Sequence, residues 1–200
     1  MKERPITLCG YLVHALLSET KTQARWPIKV PPFVASEDGD WDYTRIAWLA
    51  DHESGPGWYG WMTEYPEEGS IPIPCPFAAG DRLWVREQWQ AWTEFDKTPP
   101  SQIPTSSGIN FTADGNVWDA RLRSAAHMPR WASRLSLDIV SVRAERLHPL
   151  SEKDARAEGA KARLGLTAKE VLHLLWDSIH GTGSWEQNPW VWVLALQYGN

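Results

Sequence analysis

The chain has 200 residues, of which 42% are hydrophobic, so it is long enough to bury one sizeable core. No apolar run approaches the ~20 residues that span a bilayer, and the charged amino end does not resemble a signal peptide. These features exclude a helical membrane protein and predict a cytoplasmic one, in which Cys9 and Cys75 are small core residues.

Charge is distributed unevenly, although the net charge is only −5. Residues 36–69 hold nine acidic residues and one arginine, a charge of −8, which leaves +3 for the remaining residues. Residues 119–146 hold six arginines against three acids. The acidic average excludes a general nucleic-acid coat protein, whereas a local anion-binding face and a solvated arginine surface both remain open.

Fourteen tryptophans are the most unusual feature of the composition. Tryptophan is large and apolar, so most of the fourteen are expected to serve core and loop packing. The alternative, for one or two of them, is a stacking surface for a nucleobase.

The apolar pattern predicts more strands than helices, with the helices at connections. The predicted strands or extended segments are 5–8, 23–30, 58–65, 82–92, 109–118, 135–143 and 190–196, and the predicted helices are 10–19, 151–159 and 167–179. Capping boxes open the two later helices, and the last strand is apolar on both faces, as in a central strand. Residues 66–76 and 97–107 are predicted loops, and residues 36–57 are acidic and turn-rich. Together the elements indicate a small β-barrel with packed helices.

Familiar catalytic motifs are absent: the sequence has no phosphate-binding P-loop, no G-x-G-x-x-G and no G-x-S-x-G. His173 and His180 could share one helix face, but no third ligand has metal spacing. We therefore expect two ordinary helix histidines, with no metal and no cofactor.

Four segments, in the right order, resemble the motifs of ASCH domains, a branch of the PUA-like fold. They are a helix exit at Leu16–Thr22, a turn and strand at Phe77–Val85, a short acidic helix at Leu150–Gly159 and a closing strand at Trp190–Leu194. The resemblance runs from residue 5 to residue 198, with insertions at about 30–76 and 94–130. It implies a single α+β domain over residues 1–200, a PUA-like mixed β-barrel with two or three packed helices.

Two further segments, His127–Arg134 and Leu175–Ile179, resemble a group of phage-encoded, ASCH-like proteins, some labelled "morphogenetic". This resemblance implies a phage or prophage source. It also supplies an alternative function, that of a non-catalytic interaction protein whose acidic segment docks a host or virion partner.

Some small bacterial ASCH proteins are amidohydrolases that remove the acyl group from N4-acetylcytidine with a lysine, a threonine three residues later and a glutamate in a later helix. The resemblance places the lysine at Lys21 and the glutamate at Glu158, whereas Ala24 stands at the threonine position. Thr22 is the candidate substitute, and a water molecule is the alternative. Lys21 would act as a base and Glu158 as an acid. Otherwise both are ordinary charges at helix ends.

Four further residues are candidates for substrate binding. Arg25 lies on the same strand face as Lys21, because alternate residues of a strand share a face. Arg82, Trp84 and Arg86 likewise share a side of their strand. Two cationic side chains at the opening of one pocket are suited to binding a phosphate, so the expected ligand is a nucleoside or RNA. Ion pairs with the acidic segment are the alternative for these arginines.

Overall fold

The computed structural model describes residues 1–28, 45–49, 58–62 and 70–199. Its elements follow in chain order: β1 (Glu3–Thr7), α1 (Gly10–Leu17), β2 (Gln23–Pro27), β3 (Arg45–Leu49), β4 (Trp58–Met62), β5 (Ser70–Pro74), β6 (Arg82–Arg86), β7 (Trp89–Ala91), β8 (Ile109–Phe111), β9 (Ser136–Arg146), α2 (Glu152–Ala157), α3 (Ala168–His180) and β10 (Trp190–Tyr198). The predicted α+β class is confirmed.

The largest sheet has five strands in the order β1-β6-β9-β10-β2. It is mixed, because β1 and β6 run parallel whereas the other neighbours are antiparallel. The two smaller sheets are β3-β4-β5 and β7-β8. In the described part of the chain no pairing of β1 with β2 closes the large sheet.

Both faces of the large sheet are packed against other elements at β10. Leu194 and Leu196 point into a core that includes α1, whereas Val191 and Val193 pack against α2 and α3 on the opposite face. This alternation explains why β10 is apolar on both sides and confirms its prediction as a central strand.

Capping boxes fix the beginnings of α2 and α3, as predicted. The Asp154 N–H donates to the Ser151 hydroxyl (3.1 Å), and the Asp154 carboxylate accepts from the Ser151 N–H (3.0 Å). Thr167 and Glu170 form the same reciprocal pair at 3.2 and 2.7 Å. None of the helices in the described part combines the length and apolar character needed to cross a bilayer.

The segment described as turn-rich and one predicted loop each contain a strand. Residues 36–57 include β3, and residues 66–76 include β5, with Pro72 and Pro74 inside the strand. Proline has no main-chain N–H to donate to a neighbouring strand, so it is disfavoured in a strand that has neighbours on both sides. For this reason the sequence favoured a loop. The prolines are tolerated because β5 is an edge strand that pairs only with β4 in its sheet.

The predicted strand 82–92 is two strands that belong to different sheets. The chain leaves the large sheet at Glu87, whose buried carboxylate accepts two hydrogen bonds from the Arg134 guanidinium, each 3.0 Å long. The prediction for Cys9 was also wrong, because this residue is exposed just before α1. Cys75 is partly buried, and burial raises the pKa of its thiol to about 11.

Asp177 near the end of α3 anchors the loop that carries the buried Trp185. Its carboxylate accepts from the N–H groups of Gly183 (2.9 Å) and Trp185 (2.8 Å), and these bonds hold its pKa below the ordinary 3.8. A depressed carboxyl pKa contributes stability that is present above the ordinary pKa and is lost as pH falls through the folded-state value.

We therefore expect the free energy of unfolding of Asp177→Asn to be lower than wild type near pH 7 and to fall less steeply below about pH 4. Urea unfolding at a series of pH values measures both effects. The matched control is Asp119→Asn, an exposed carboxylate. A pH profile of Asp177→Asn parallel to that of wild type would contradict this role.

Candidate functional site

The ends of α1 and α2 lie against each other and build the first part of the site. The Thr22 N–H donates to the carbonyl oxygen of Ala157 (2.7 Å), and Lys21 and Glu158 form an isolated antiparallel bridge. Two residues that are 137 positions apart in the chain therefore lie side by side.

Gly159 makes this close approach possible. Its φ angle is +93°, a conformation that side chains with a Cβ rarely adopt. A Cβ at this position would lie 2.6 Å from the Ala15 Cβ and 3.3 Å from the Lys21 Cβ. The chain can pass between α1 and the start of β2 only without a side chain here.

Lys21 and Glu158 form a buried ion pair, with side chains 3% and 6% exposed. The Lys21 ammonium donates to Glu158 Oε2 (2.9 Å), to the Glu158 carbonyl oxygen (2.9 Å) and to the Gln23 carbonyl oxygen (2.7 Å). All three ammonium protons are therefore engaged. The alternative interpretation, in which both residues are exposed charges at helix ends, was therefore wrong.

Arg25 extends the pair into a charge network. Its guanidinium donates to Glu158 Oε1 (2.9 Å) and to Glu145 Oε1 (2.6 Å), and its side chain is 2% exposed. Asp154 Oδ1 lies 4.0 Å away. The pKa of Asp154 is held below its ordinary value, first by the hydrogen bond from the Ser151 hydroxyl and further by the nearby charge of Arg25.

Arg25 is therefore not free to bind a phosphate as predicted, because carboxylates already hold it. The partners that the described residues provide, Glu145 and Glu158, lie outside residues 36–69. The side chains of the acidic segment lie outside the described residues, so the alternative of an ion pair with that segment stays a prediction. Nothing in the sequence pairs these residues, because Arg25 is 120 positions from Glu145 and 133 positions from Glu158.

Thr22 and Ala24 lie on the opposite side of the chain from Lys21. Ala24 is 5% exposed and packs in the core beneath α1, while Thr22 is exposed. The alternation of a strand separates residues 22 and 24 from residues 21, 23 and 25. Among the described residues no side-chain hydroxyl hydrogen bonds with Lys21 or Glu158.

Arg82, Trp84 and Arg86 share the half-exposed side of β6, as predicted. Arg82 donates to both Asp138 oxygens (2.7 and 3.1 Å), which lowers the Asp138 pKa. The guanidinium carbons of Arg86 and Arg130 lie 5.8 and 5.9 Å from the Trp84 ring centroid. The strands β9 and β10 lie between β6 and β2, so three spacings of ~4.8 Å, or roughly 14 Å, separate β6 from β2. These residues therefore do not line the same pocket as Arg25.

A cavity of about 390 Å³ lies beside the buried pair. Its walls are Thr20, Arg156, Ala157, Ala160, Lys161 and Ala162. Thr20 directly precedes Lys21, and Ala157 directly precedes Glu158, although neither charged residue lines the cavity itself. Of the tryptophans in the described ranges, none lines this cavity.

A second cavity of about 560 Å³ adjoins the first, because both are lined by Arg156 and Ala162. Its other walls are Glu152, Arg163, Gly165, Leu166 and Thr167. Sequence reasoning missed the basic residues of these walls. Their only signal is three cations within eight positions, a pattern that is common on solvated surfaces.

The two helix histidines pack against aromatic rings. His173 stacks on Trp185 with ring centroids 4.9 Å apart, and the His180 ring centroid lies 4.2 Å from that of Trp176. Burial lowers the pKa of His180. Within the described ranges no three histidine, cysteine or acidic side chains are grouped as metal ligands would be.

The acidic segment, residues 36–69, lies outside the described residues except for β3 and β4. Its predicted protein partner therefore stays a prediction.

Comparison with protein-family models, with curated proteins and with solved structures found no match to this chain.

Proposed function

We propose that this chain is an ASCH-type domain that binds a nucleoside or a nucleotide of RNA in the cavity beside Lys21 and Glu158. The observation that carries the proposal is the 2.9 Å contact of these two residues. They are the lysine and the glutamate that the resemblance to ASCH amidohydrolases selects, and they lie on segments far apart in the chain.

A buried ion pair is weak evidence for a purely structural role. Removing two charges from water is expensive, and apolar residues of similar volume often stabilise a protein equally well. A cluster of polar and charged groups beside a cavity is therefore a candidate binding site. The Lys21–Glu158–Arg25 network lies beside a cavity whose volume of about 390 Å³ is within the range that small ligands occupy.

The PUA-like barrel is part of the same proposal. The mixed five-stranded sheet with α1 on one face and two helices on the other supports it, as does the order of its elements. The barrel would require the edge strands β1 and β2 to be joined through further contacts.

Binding is the primary function because Lys21 and Glu158 are already held by protein partners. The Lys21 protons and both Glu158 oxygens have protein partners, so the pair fixes the main chain at 20–22 and 157–161 around the cavity. The main-chain N–H groups of residues 20–22 and 158–161 already donate within the protein, so the carbonyl oxygens of these segments, each of which can accept a second hydrogen bond, are the groups that can recognise the edge of an unpaired base.

Hydrolysis of N4-acylated cytidine is a second candidate, favoured by the same Lys21–Glu158 contact. Lys21 would have to release a proton to take one from water, and Glu158 would have to protonate the leaving amine. Ala24 provides no hydroxyl nucleophile and lies in the core, so water would be the nucleophile.

We expect wild-type protein to bind N4-acetylcytidine or cytidine and expect Ala157→Leu, which projects into the cavity, to weaken binding at least about tenfold, as overpacking a site does. Titration calorimetry measures this directly. The matched control is Ala126→Leu, an exposed alanine on a distant turn. Absence of binding by wild type, or equal binding by Ala157→Leu, would reject the proposal.

Chromatography of the same mixtures tests the second candidate. Cytidine formation that falls by about 10²–10⁴-fold in Lys21→Met would assign deacylation to this pair. Binding without cytidine formation, in wild type and in Ala24→Thr, would leave a binding domain.

A further inference from the structure

The two adjoining cavities form one basic groove, which we define by its walls: Thr20, Glu152 and the lining residues between 156 and 167. Three cations line it: Arg156, Lys161 and Arg163. Among the described residues one acid, Glu152, belongs to its walls, and its carboxylate accepts from the N–H groups of Ala168 (3.2 Å) and Lys169 (3.1 Å) at the start of α3. The groove therefore carries an excess of positive charge on an acidic protein.

The cations of the basic groove are available to a ligand. Arg156, Lys161 and Arg163 are all exposed, and within the described part of the chain no carboxylate forms an ion pair with any of them. Other arginines differ in this respect, since Arg25 and Arg82 are held by carboxylates.

The segment that carries Lys161 and Arg163 has a defined shape. Arg163 and Leu166 exchange main-chain hydrogen bonds of 3.1 and 2.9 Å around a two-residue turn, in which Leu164 and Gly165 have φ angles of 52° and 81°. The Lys161 N–H donates to the Tyr11 hydroxyl (2.9 Å). A preordered loop loses little conformational entropy when a ligand binds.

The aromatic ring of Tyr11 also contacts the Arg163 side chain. The Arg163 guanidinium carbon lies 5.7 Å from the Tyr11 ring centroid, which is within the range of a cation–π contact. The carbon stem is thereby positioned while the guanidinium keeps its donors for an anion.

We infer that the basic groove binds successive phosphates of single-stranded RNA. The inference rests on the proposed function, because the groove opens at Thr20 and Ala157, where the nucleoside cavity begins. A base that enters the cavity must be unpaired, and its flanking phosphates would then lie along Arg156, Lys161 and Arg163. Cations that neutralise phosphates release counterions, so this binding depends on salt.

Fluorescence anisotropy of a labelled twelve-nucleotide RNA, measured from about 50 to 200 mM salt, tests the inference. Each phosphate contact contributes about 0.7 to the slope of log affinity against log salt. The triple variant Arg156→Gln, Lys161→Gln, Arg163→Gln should therefore have a slope shallower by about 2. A triple variant with an unchanged slope, or wild type that binds no RNA, would overturn the inference.

A control variant distinguishes the effect of the groove from the effect of a change in net charge. Lys2→Gln, Lys97→Gln, Arg121→Gln removes the same charge from exposed positions elsewhere. It should keep the wild-type slope, and an equal loss would overturn the inference. Inorganic phosphate at matched ionic strength should displace RNA only weakly, whereas displacement at about millimolar phosphate would indicate a site for the free anion and reject the polymer.

Failure of the nucleoside site would be recognised separately. Ala157→Leu alters the nucleoside cavity without removing a charge, so its salt slope should equal that of wild type. If nucleosides do not bind but the salt slope depends on Arg156, Lys161 and Arg163, the proposed function fails and the RNA groove stands.

Discussion

Glu158→Gln is expected to lower the free energy of unfolding by about 3–5 kcal/mol, the loss typical of breaking a buried ion pair from one side. The carboxylate neutralises Lys21 and Arg25 at once, each at 2.9 Å, and the three side chains are nearly inaccessible to water. Glutamine has the same shape but no charge, so two buried cations would share the remaining acids. Urea unfolding monitored by tryptophan fluorescence measures the change.

The matched control is Glu145→Gln, which also touches Arg25 but has a side chain that is 28% exposed. Water can replace part of its contribution, so the expected loss is about 1 kcal/mol. The double variant Lys21→Met, Glu158→Gln should be more stable than Glu158→Gln alone, because it removes one unpaired cation. A loss below about 1 kcal/mol for Glu158→Gln would show that the pair is hydrated in solution.

Gly159→Ala is expected to lower the free energy of unfolding by roughly 2–5 kcal/mol. The positive φ contributes ~1–2 kcal/mol of strain, and the contact of the new Cβ with Ala15, only 2.6 Å away, adds an overpacking penalty of ~1–3 kcal/mol. Ala15 belongs to α1, so this clash can be relieved only if α1 and the segment at residue 159 move apart.

Gly165→Ala separates the two causes. Gly165 has a φ angle of +81°, but no atom lies within 4 Å of a Cβ built there. Its substitution should therefore show the conformational strain alone, about 1–2 kcal/mol. Equal losses at Gly159 and Gly165 would mean that α1 and α2 are not in the close contact that positions Lys21 and Glu158.

Elements with strong local signals were predictable from the sequence. The capping residues Ser151 and Thr167 mark the starts of two helices, and the continuous apolar run of β10 marks a central strand. Local interactions determine where these elements form. The capping hydrogen bonds join residues three positions apart, and the residues of a central strand are buried on both faces and therefore apolar.

Elements decided by their neighbours were not predictable. Pro72 and Pro74 argue against a strand, and only the edge position of β5 reverses that argument. Glu87 interrupts a sequence that alternates like one strand, since its ion pair with Arg134 lies where the chain changes sheets. Neither the edge nor the ion pair is visible in a single sequence.

The candidate site divides in the same way. Residue types alone made Lys21 and Glu158 ordinary surface charges, and the resemblance to ASCH domains, rather than spacing, singled them out. Arg25 joins them through β2, yet its second partner, Glu145, is set by the register of β9 against β10. Thr22 lies on the same side of the chain as Ala24, and a hydroxyl at the position that the resemblance requires would replace Ala24 in the core.

The most direct test of the nucleoside site is an NMR titration of the ¹⁵N-labelled wild-type protein with N4-acetylcytidine and with cytidine. We expect the largest amide shift changes at residues 20–22 and 157–162, which surround the cavity and the buried pair. Amides around Trp84 on β6 should change little, because this strand is roughly 14 Å from β2. No saturable change, or changes confined to β6, would contradict a nucleoside site beside Lys21 and Glu158.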